Sequence, residues 1–243
     1  MVSVEGTRVL VEEALAAGVR RLVYFSTVSV YGPTGREPVD ETASPHPDTT
    51  YPETKLRAEE IVLSSRKPDS GDPIGVVLRM AAVYGPRMKG NYATLVEALE
   101  RGRFLPVGNG SNLRTLVYDR DAVRAAILAA EHPAAAGRVY NVSDGDVHSL
   151  NDIVAAICEA LGRRPPGLAV PLPAARGAAM LGDAAMAVAG RPRRLVAAVD
   201  KLVESVAVSS DRIQRELGFR PEYDLRRGWR ETVAAWQKGQ INH

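Results

Sequence analysis

The 243-residue chain is 45% hydrophobic and 25% charged, the mixture of a soluble globular protein with room for one large domain or two unequal lobes. Its 31 Lys and Arg against 29 Asp and Glu leave a net charge of +2, too little to suggest a nucleic-acid surface. The arginine runs at Arg163–Arg164, Arg191–Arg194 and Arg226–Arg227 are short and scattered, in the manner of solvated faces.

Along the chain, Glu5, Arg8, Glu12 and Glu13 interrupt the N-terminus before the apolar core of a secretory signal could form. From Gly6 to Ala17 apolar residues fall at helical spacing (Val9, Leu10, Ala14, Leu15), and Gly18 follows as a stop. The run from Arg20 to Ser26 (RRLVYFS) is short, apolar and bounded by charge, which predicts a buried parallel strand. A turn-rich stretch with Gly32, Pro33, Gly35, Pro38, Pro45 and Pro47 leads to a helix from Tyr51 to about Ser65, with Pro52 in its first turn. Ile74 to Arg79 is a second strand of the same buried type.

Helices are expected at Ala93–Arg101 and Asp121–His132, a third strand at 138–142, and a helix at Asn151–Leu161 capped by Ser149 or Asn151. Further helices fall at 174–189, 196–203, 209–217 and 226–238. The greasiest stretch, 178–190, contains Asp183 and is too short to span a bilayer. Strands separated by helices mean parallel βαβ units and an α/β class. Cys158 lies in an apolar helical run, so a buried thiol in a reducing cytoplasm is expected. A lone cysteine gives neither a disulfide nor a zinc cluster. His46, His132, His148 and His243 lack ligand spacing, so no metal site is expected.

Two segments carry candidate chemistry. In Tyr51-Pro52-Glu53-Thr54-Lys55 a phenol and an ammonium four residues apart lie on one helix face. A phenol is a poor base at neutral pH, and a neighbouring cation favours the phenolate, which could exchange a proton with a substrate hydroxyl or carbonyl. Alone, the pattern is equally a surface pair. In Tyr24-Phe25-Ser26-Thr27-Val28-Ser29-Val30-Tyr31-Gly32 a strand ends in hydroxyl residues, at the edge where ligands bind open α/β sheets. Those hydroxyls could position a reacting oxygen, or could simply cap the turn.

The order of these segments, followed by Leu78-Arg79 and Val83-Tyr84-Gly85-Pro86, then Arg114-Thr115-Leu116-Val117-Tyr118-Asp119, Tyr140-Asn141-Val142 and Glu216-Leu217-Gly218-Phe219, resembles the extended short-chain dehydrogenases, including NAD-dependent sugar-nucleotide epimerases and dehydratases. The likeness implies a partial Rossmann-like parallel sheet, the second half of a doubly wound fold, with a smaller C-terminal α/β lobe. Residues 1–85 would hold the cofactor-domain part and residues 86–243 mainly the substrate lobe, with the helix near 121–132 and the strand near 138–142 returning to the sheet. It implies Tyr51 as acid/base, and Lys55 as the lysine that favours its phenolate and binds the nicotinamide ribose. Thr27 would position the reacting oxygen, and Ser26 would sit where the strand end meets the cofactor. The backbone of Met80, Ala81 and Val83 would approach the nicotinamide, Ala82 would face substrate, and Arg114 would pair with a nucleotide-sugar diphosphate.

The implied activity is transient C4 oxidation of a nucleoside-diphosphate sugar with hydride return, using NAD, with NADP not excluded. The alternatives are a reductase or dehydrogenase of a 4-keto sugar nucleotide or a 3β-hydroxysteroid-like alcohol, and a non-catalytic dinucleotide sensor. A dehydratase is disfavoured because Val28-Ser29 stands where that subgroup has Asp-Glu. A cytoplasmic homodimer through helices 6–17 and 51–65 is implied, with no nucleic-acid or membrane partner.

The likeness departs in two places. Ala82 replaces a frequent substrate-facing asparagine, and the family's glycine-rich fingerprint does not precede the Ser/Thr strand. Gly108-Asn109-Gly110 is no substitute, since it follows the Tyr-Lys motif and lacks a third glycine. A start placed downstream of the true one is the expectation, a genuinely short form the alternative. The chain as written is expected to bind NAD poorly or not at all.

Overall fold

The computed structural model describes residues 2–188 and 195–241; the arginine run at 191–194, the end of the expected helix 174–189, and His243 lie outside them. The chain begins with α1 (Val2–Ala16), β1 (Leu22–Thr27), a 3-10 turn (Val28–Tyr31), α2 (Thr50–Ser64) and β2 (Gly75–Met80). It continues through β3 (Ala82–Tyr84), α3 (Asn91–Glu100), β4 (Leu113–Arg114), β5 (Leu116–Tyr118), α4 (Asp119–Glu131), β6 (Val139–Val142) and β7 (His148–Ser149). The last third is helical: α5 (Leu150–Ala160), α6 (Leu172–Val188), α7 (Leu195–Val203), α8 (Asp211–Leu217) and α9 (Leu225–Ile241).

The main sheet is parallel, in the order β1-β2-β6, with Leu22 opposite Gly75, Thr27 opposite Met80, and Met80 opposite Val142. Every residue of β2 is buried, as its unbroken apolar run predicts for a central parallel strand. β1 departs from the buried strand expected there. Among the described residues it pairs only with β2, and Phe25 is 46% exposed. An edge strand leaves part of its apolar surface uncovered, so an apolar run alone does not guarantee burial on both sides.

One face of the sheet packs Leu78, Met80, Tyr140 and Val142 against Ala122, Ala125 and Ala129 of α4 and Ile213 and Leu217 of α8. On the other face Val77 packs with Val11 of α1 and Val62 of α2. A second core joins Leu116 and Tyr118 of β5 to Leu99 of α3, Ile153 and Ile157 of α5, and Trp229 of α9. Tyr84 stacks on Trp229 at 4.5 Å between ring centroids and meets Tyr118 edge-on at 5.6 Å. These are favourable geometries for aromatic pairs.

Ser149 is the cap of α5. Its hydroxyl accepts from the Asp152 N–H while Asp152 accepts from the Ser149 N–H, a reciprocal capping box. The β3–β5 and β4–β7 ladders escape the sequence reading because two or three residues are too few to establish a period.

Gly75 opens β2 where the end of α2 crosses it, and a Cβ there would lie 2.0 Å from the Val62 carbonyl oxygen. Its requirement is space rather than backbone conformation. Gly75→Ala should therefore lower stability by about 1–3 kcal/mol by urea unfolding, because α2 must lift from the sheet. A loss below half a kilocalorie would show that the helix end yields freely.

Candidate active site

Ser26, Thr27, Lys55, Met80, Ala81, Ala82 and Val83, all singled out in the sequence, lie about the region where β1 and β2 end and β3 begins. α2 starts beside this edge, at Thr50, with Pro52 buried in its first turn and Tyr51 62% exposed. One turn on, the Lys55 ammonium donates to the Phe25 carbonyl at 2.8 Å and lies over the Tyr24 ring, 4.8 Å from its centroid. This contact fixes the helix bearing Tyr51 and Lys55 against the end of β1. Burial lowers the Lys55 pKa from its ordinary value, and the Glu59 carboxylate one turn further along opposes that shift.

Thr27 closes β1 and caps the 3-10 turn, its oxygen accepting from the Ser29 N–H at 3.2 Å. The turn-capping use of these hydroxyls is thus present at Thr27. Val28 is buried and Ser29 is tied back to Thr27, so this turn carries no acid. Ser26 is buried, and its hydroxyl is spent on Glu59 rather than left open at the strand end.

The ladder register places Met80 opposite Thr27. Met80 and Ala81 are buried, Ala82 is half-buried, and the Val83 side chain is 46% exposed. The Ala82 N–H donates to the Thr115 carbonyl, which brings the preceding residue, Arg114, toward the same region. Arg114 does not present a free fork there. Its guanidinium donates to the carbonyls of Leu113 and Glu204 and reaches Lys201 O at 3.5 Å, holding the end of α7.

Across the β4–β7 ladder, His148 sits opposite Arg114 and forms a buried pair with Asp144, Nε2 to Oδ2 at 2.7 Å. Burial disfavours the imidazolium, but the hydrogen bond and charge of Asp144, with Asp146 and Asp152 beyond, outweigh it and leave the His148 pKa raised. Nearby, burial pushes the Tyr92 phenol up to about 12, with Arg114 acting against the shift and Asp144 adding to it.

Sequence reading missed this Asp144–His148 pair and the buried group around Glu59. An acid and a histidine four apart on a loop carry no helical signal, whereas Glu59, four residues beyond Lys55 on one helix face, was open to recognition. Among the described residues no group of three or more His, Cys, Asp or Glu could hold a metal ion, and no helix is long and apolar enough to cross a membrane.

The sequence model of the NAD dependent epimerase/dehydratase family matches residues 1–143. The UDP-glucose 4-epimerase of Vibrio cholerae is 28% identical over 238 residues, 97% of this chain and 69% of that protein. The dTDP-glucose 4,6-dehydratase of Streptomyces griseus is 30% identical over 239 residues, 97% of this chain and 64% of that protein. The crystal structure of the UDP-glucose 4-epimerase of Thermotoga maritima with UDP-glucose superposes with a TM-score of 0.75 at 26% identity, covering 98% of this chain and 70% of that one. The architecture is therefore Rossmann-like, with a parallel sheet.

The raised pKa of His148 fixes the sign of a pH effect. Its stabilising contribution is complete below its unfolded value of about 6.5 and is lost as pH rises through the higher folded value. The stability gap between the native protein and His148→Gln, measured by urea unfolding, should shrink as pH rises above about 6.5. A constant gap would mean that the ring titrates alike in the folded and unfolded chain.

Proposed function

Because the chain belongs to the NAD-dependent epimerase/dehydratase family, we propose that its site epimerises a nucleoside-diphosphate sugar at C4 by transient oxidation. The observation that carries this reading is the Lys55–Phe25 tie, which sets the Tyr51–Lys55 helix face at the end of the strand bearing Thr27. Val28 and Ser29 supply no acid, which favours epimerisation over water elimination.

The strand-end residues fit the nicotinamide end of NAD. Val83 offers an exposed apolar side chain to a flat ring, and Lys55 offers a partly buried charge to ribose hydroxyls. The described residues place no glycine-rich strand-to-helix turn beside this edge, so they would hold the nicotinamide half rather than the pyrophosphate. Bound there, NAD would accept hydride from C4 and return it to the opposite face.

The chain's own residues handle protons and position. Tyr51 takes the proton of the C4 hydroxyl during oxidation and gives it back on reduction, with the Lys55 ammonium one turn further along the same helix face. The Thr27 hydroxyl, which accepts from the Ser29 N–H and donates to the Ser29 hydroxyl, would hold the C4 oxygen by turning that donation to it. Arg114 would meet the diphosphate by exchanging its hold on the Glu204 carbonyl for a phosphate oxygen. Ala82 leaves room beside the sugar.

The test is conversion of UDP-glucose to UDP-galactose in millimolar NAD, followed by anion-exchange chromatography and by absorbance at 340 nm. Conversion without net NADH is expected, and Tyr51→Phe should lower turnover about 10²–10⁴-fold. Stoichiometric NADH would point instead to a dehydrogenase. No conversion of UDP-, dTDP- or GDP-hexoses would remove the reading.

The same reading makes the protein a homodimer through α1 and α2, which pack on each other and leave Val9 and Leu10 of α1 50% and 56% exposed. Light scattering at micromolar concentration should give twice the 26.1 kDa chain mass, and Leu10→Asp should return it to one. A monomer in the unmodified protein would refute this assembly.

A further inference from the structure

We infer that Glu59, clamped by Arg79, is a positioning residue for Tyr51 and Lys55, tying their helix to the strand ends and holding a negative charge one turn from the lysine. The inference rests on the reading of that pair as the reacting one. Tyr51, Lys55 and Glu59 follow one another at intervals of four on α2, so they share one helix face.

The carboxylate has no freedom. Oε2 accepts from Arg79 Nη2 at 2.7 Å and Nε at 3.1 Å, while Oε1 accepts from Arg79 Nε at 3.2 Å and from the Ser26 hydroxyl. The two side chains are 2% and 7% exposed. The remaining fork nitrogen, Nη1, donates to the Tyr31 hydroxyl at 2.8 Å, and that hydroxyl donates to Asn141 Oδ1 at 2.9 Å. Glu59 is thereby referred to β1 through Ser26, to β2 through Arg79 and to β6 through Asn141. The helix carrying it cannot slide along the sheet without breaking these bonds.

Stability alone does not explain such a pair, because a well-packed apolar pair of similar volume is commonly as stable as a buried ion pair. Its place beside Lys55 does. The groups facing the ammonium are the Tyr24 ring and Phe25 carbonyl from β1 and Glu59 from α2 itself, while Tyr51 and Glu59 both act on Tyr24. Those facing Glu59 are Ser26, Tyr24 and Arg79. Burial of the lysine disfavours its charge, and Glu59 is the group whose field offsets that cost.

The test is an NMR titration of Lys55 in the ¹³C-lysine-labelled protein, without cofactor or substrate, using Lys55→Arg to identify its resonance. Glu59→Gln and the double variant Glu59→Gln/Arg79→Met, which removes both charges at nearly constant volume, should each titrate at lower pH than the native lysine. Turnover in both should fall on the order of tenfold or more, with KM for the sugar nucleotide little changed. Unfolding moves the resonance the other way, toward the ordinary lysine value of about 10.4. The double variant then decides, and Lys55 titrating there as in the native protein overturns the inference. A shifted Lys55 in a protein that turns over no sugar nucleotide supports the charge coupling and removes the reaction assigned to the site. An unshifted Lys55 with normal turnover does the reverse.

Discussion

An arginine on a strand with no exposed residue has to be neutralised where it stands. β2 is buried along its whole length, and Arg79 on it cannot reach water. An unpaired charge in that position would cost several kcal/mol, so the two-pronged contact from Glu59 and the Tyr31 hydroxyl are conditions of the fold rather than additions to it. The consequences spread outward. α2 is held in one register on the sheet, which puts Lys55 at the Phe25 carbonyl and leaves Tyr51 exposed at the rim. Tyr31 hands the network to Asn141 on β6, whose backbone N–H is taken by Glu41 at 2.7 Å, and Glu41 lies 3.6 Å from Arg212 of α8. Segments far apart in sequence are thus indexed to one buried charge.

The lobe beyond β2 is built on a different principle. Only Ala81 separates β2 from β3, so the β3–β5 ladder extends directly from the main sheet. Its stability comes from aromatic packing, with Tyr84, Tyr118, Trp229 and Tyr223 in contact through stacked and edge-on pairs. Gly228 lies so close to Tyr84 that a Cβ would fall 2.0 Å from its hydroxyl oxygen, so α9 can approach β3 only with glycine at that point. This rigid base carries Arg114 and the Asp144–His148 pair. Arg114 already serves α7 through carbonyl contacts, so any anion it binds must compete with part of the chain.

Much of this was legible in the sequence. The three strands of the main sheet and the helices around them follow from hydrophobic period, glycine stops and caps, because those signals are local and span five residues or more. The Tyr51–Lys55 spacing and the hydroxyl residues after β1 were equally plain, and their order along the chain carried the family likeness that the relatives bear out. The short ladders were not legible, nor was the exposure of Phe25. Pairing partners and edge position depend on neighbours distant in sequence, and a run of apolar residues reads alike in a central and an edge strand.

The sequence by itself determined the class of the sheet, the identity of the residues at its carboxyl edge, and the face of α2 that bears phenol and ammonium. Only the tertiary structure decided what each polar group spends its bonds on. Ser26 is turned to Glu59, Thr27 caps a turn, and Arg114 holds α7, while Glu59 and Arg79 form the charge pair between helix and sheet. The reason is physical. Periodicity fixes which way a residue faces, but a buried donor or acceptor must be satisfied by whatever the fold brings within about 3 Å, and that partner lies anywhere in the chain.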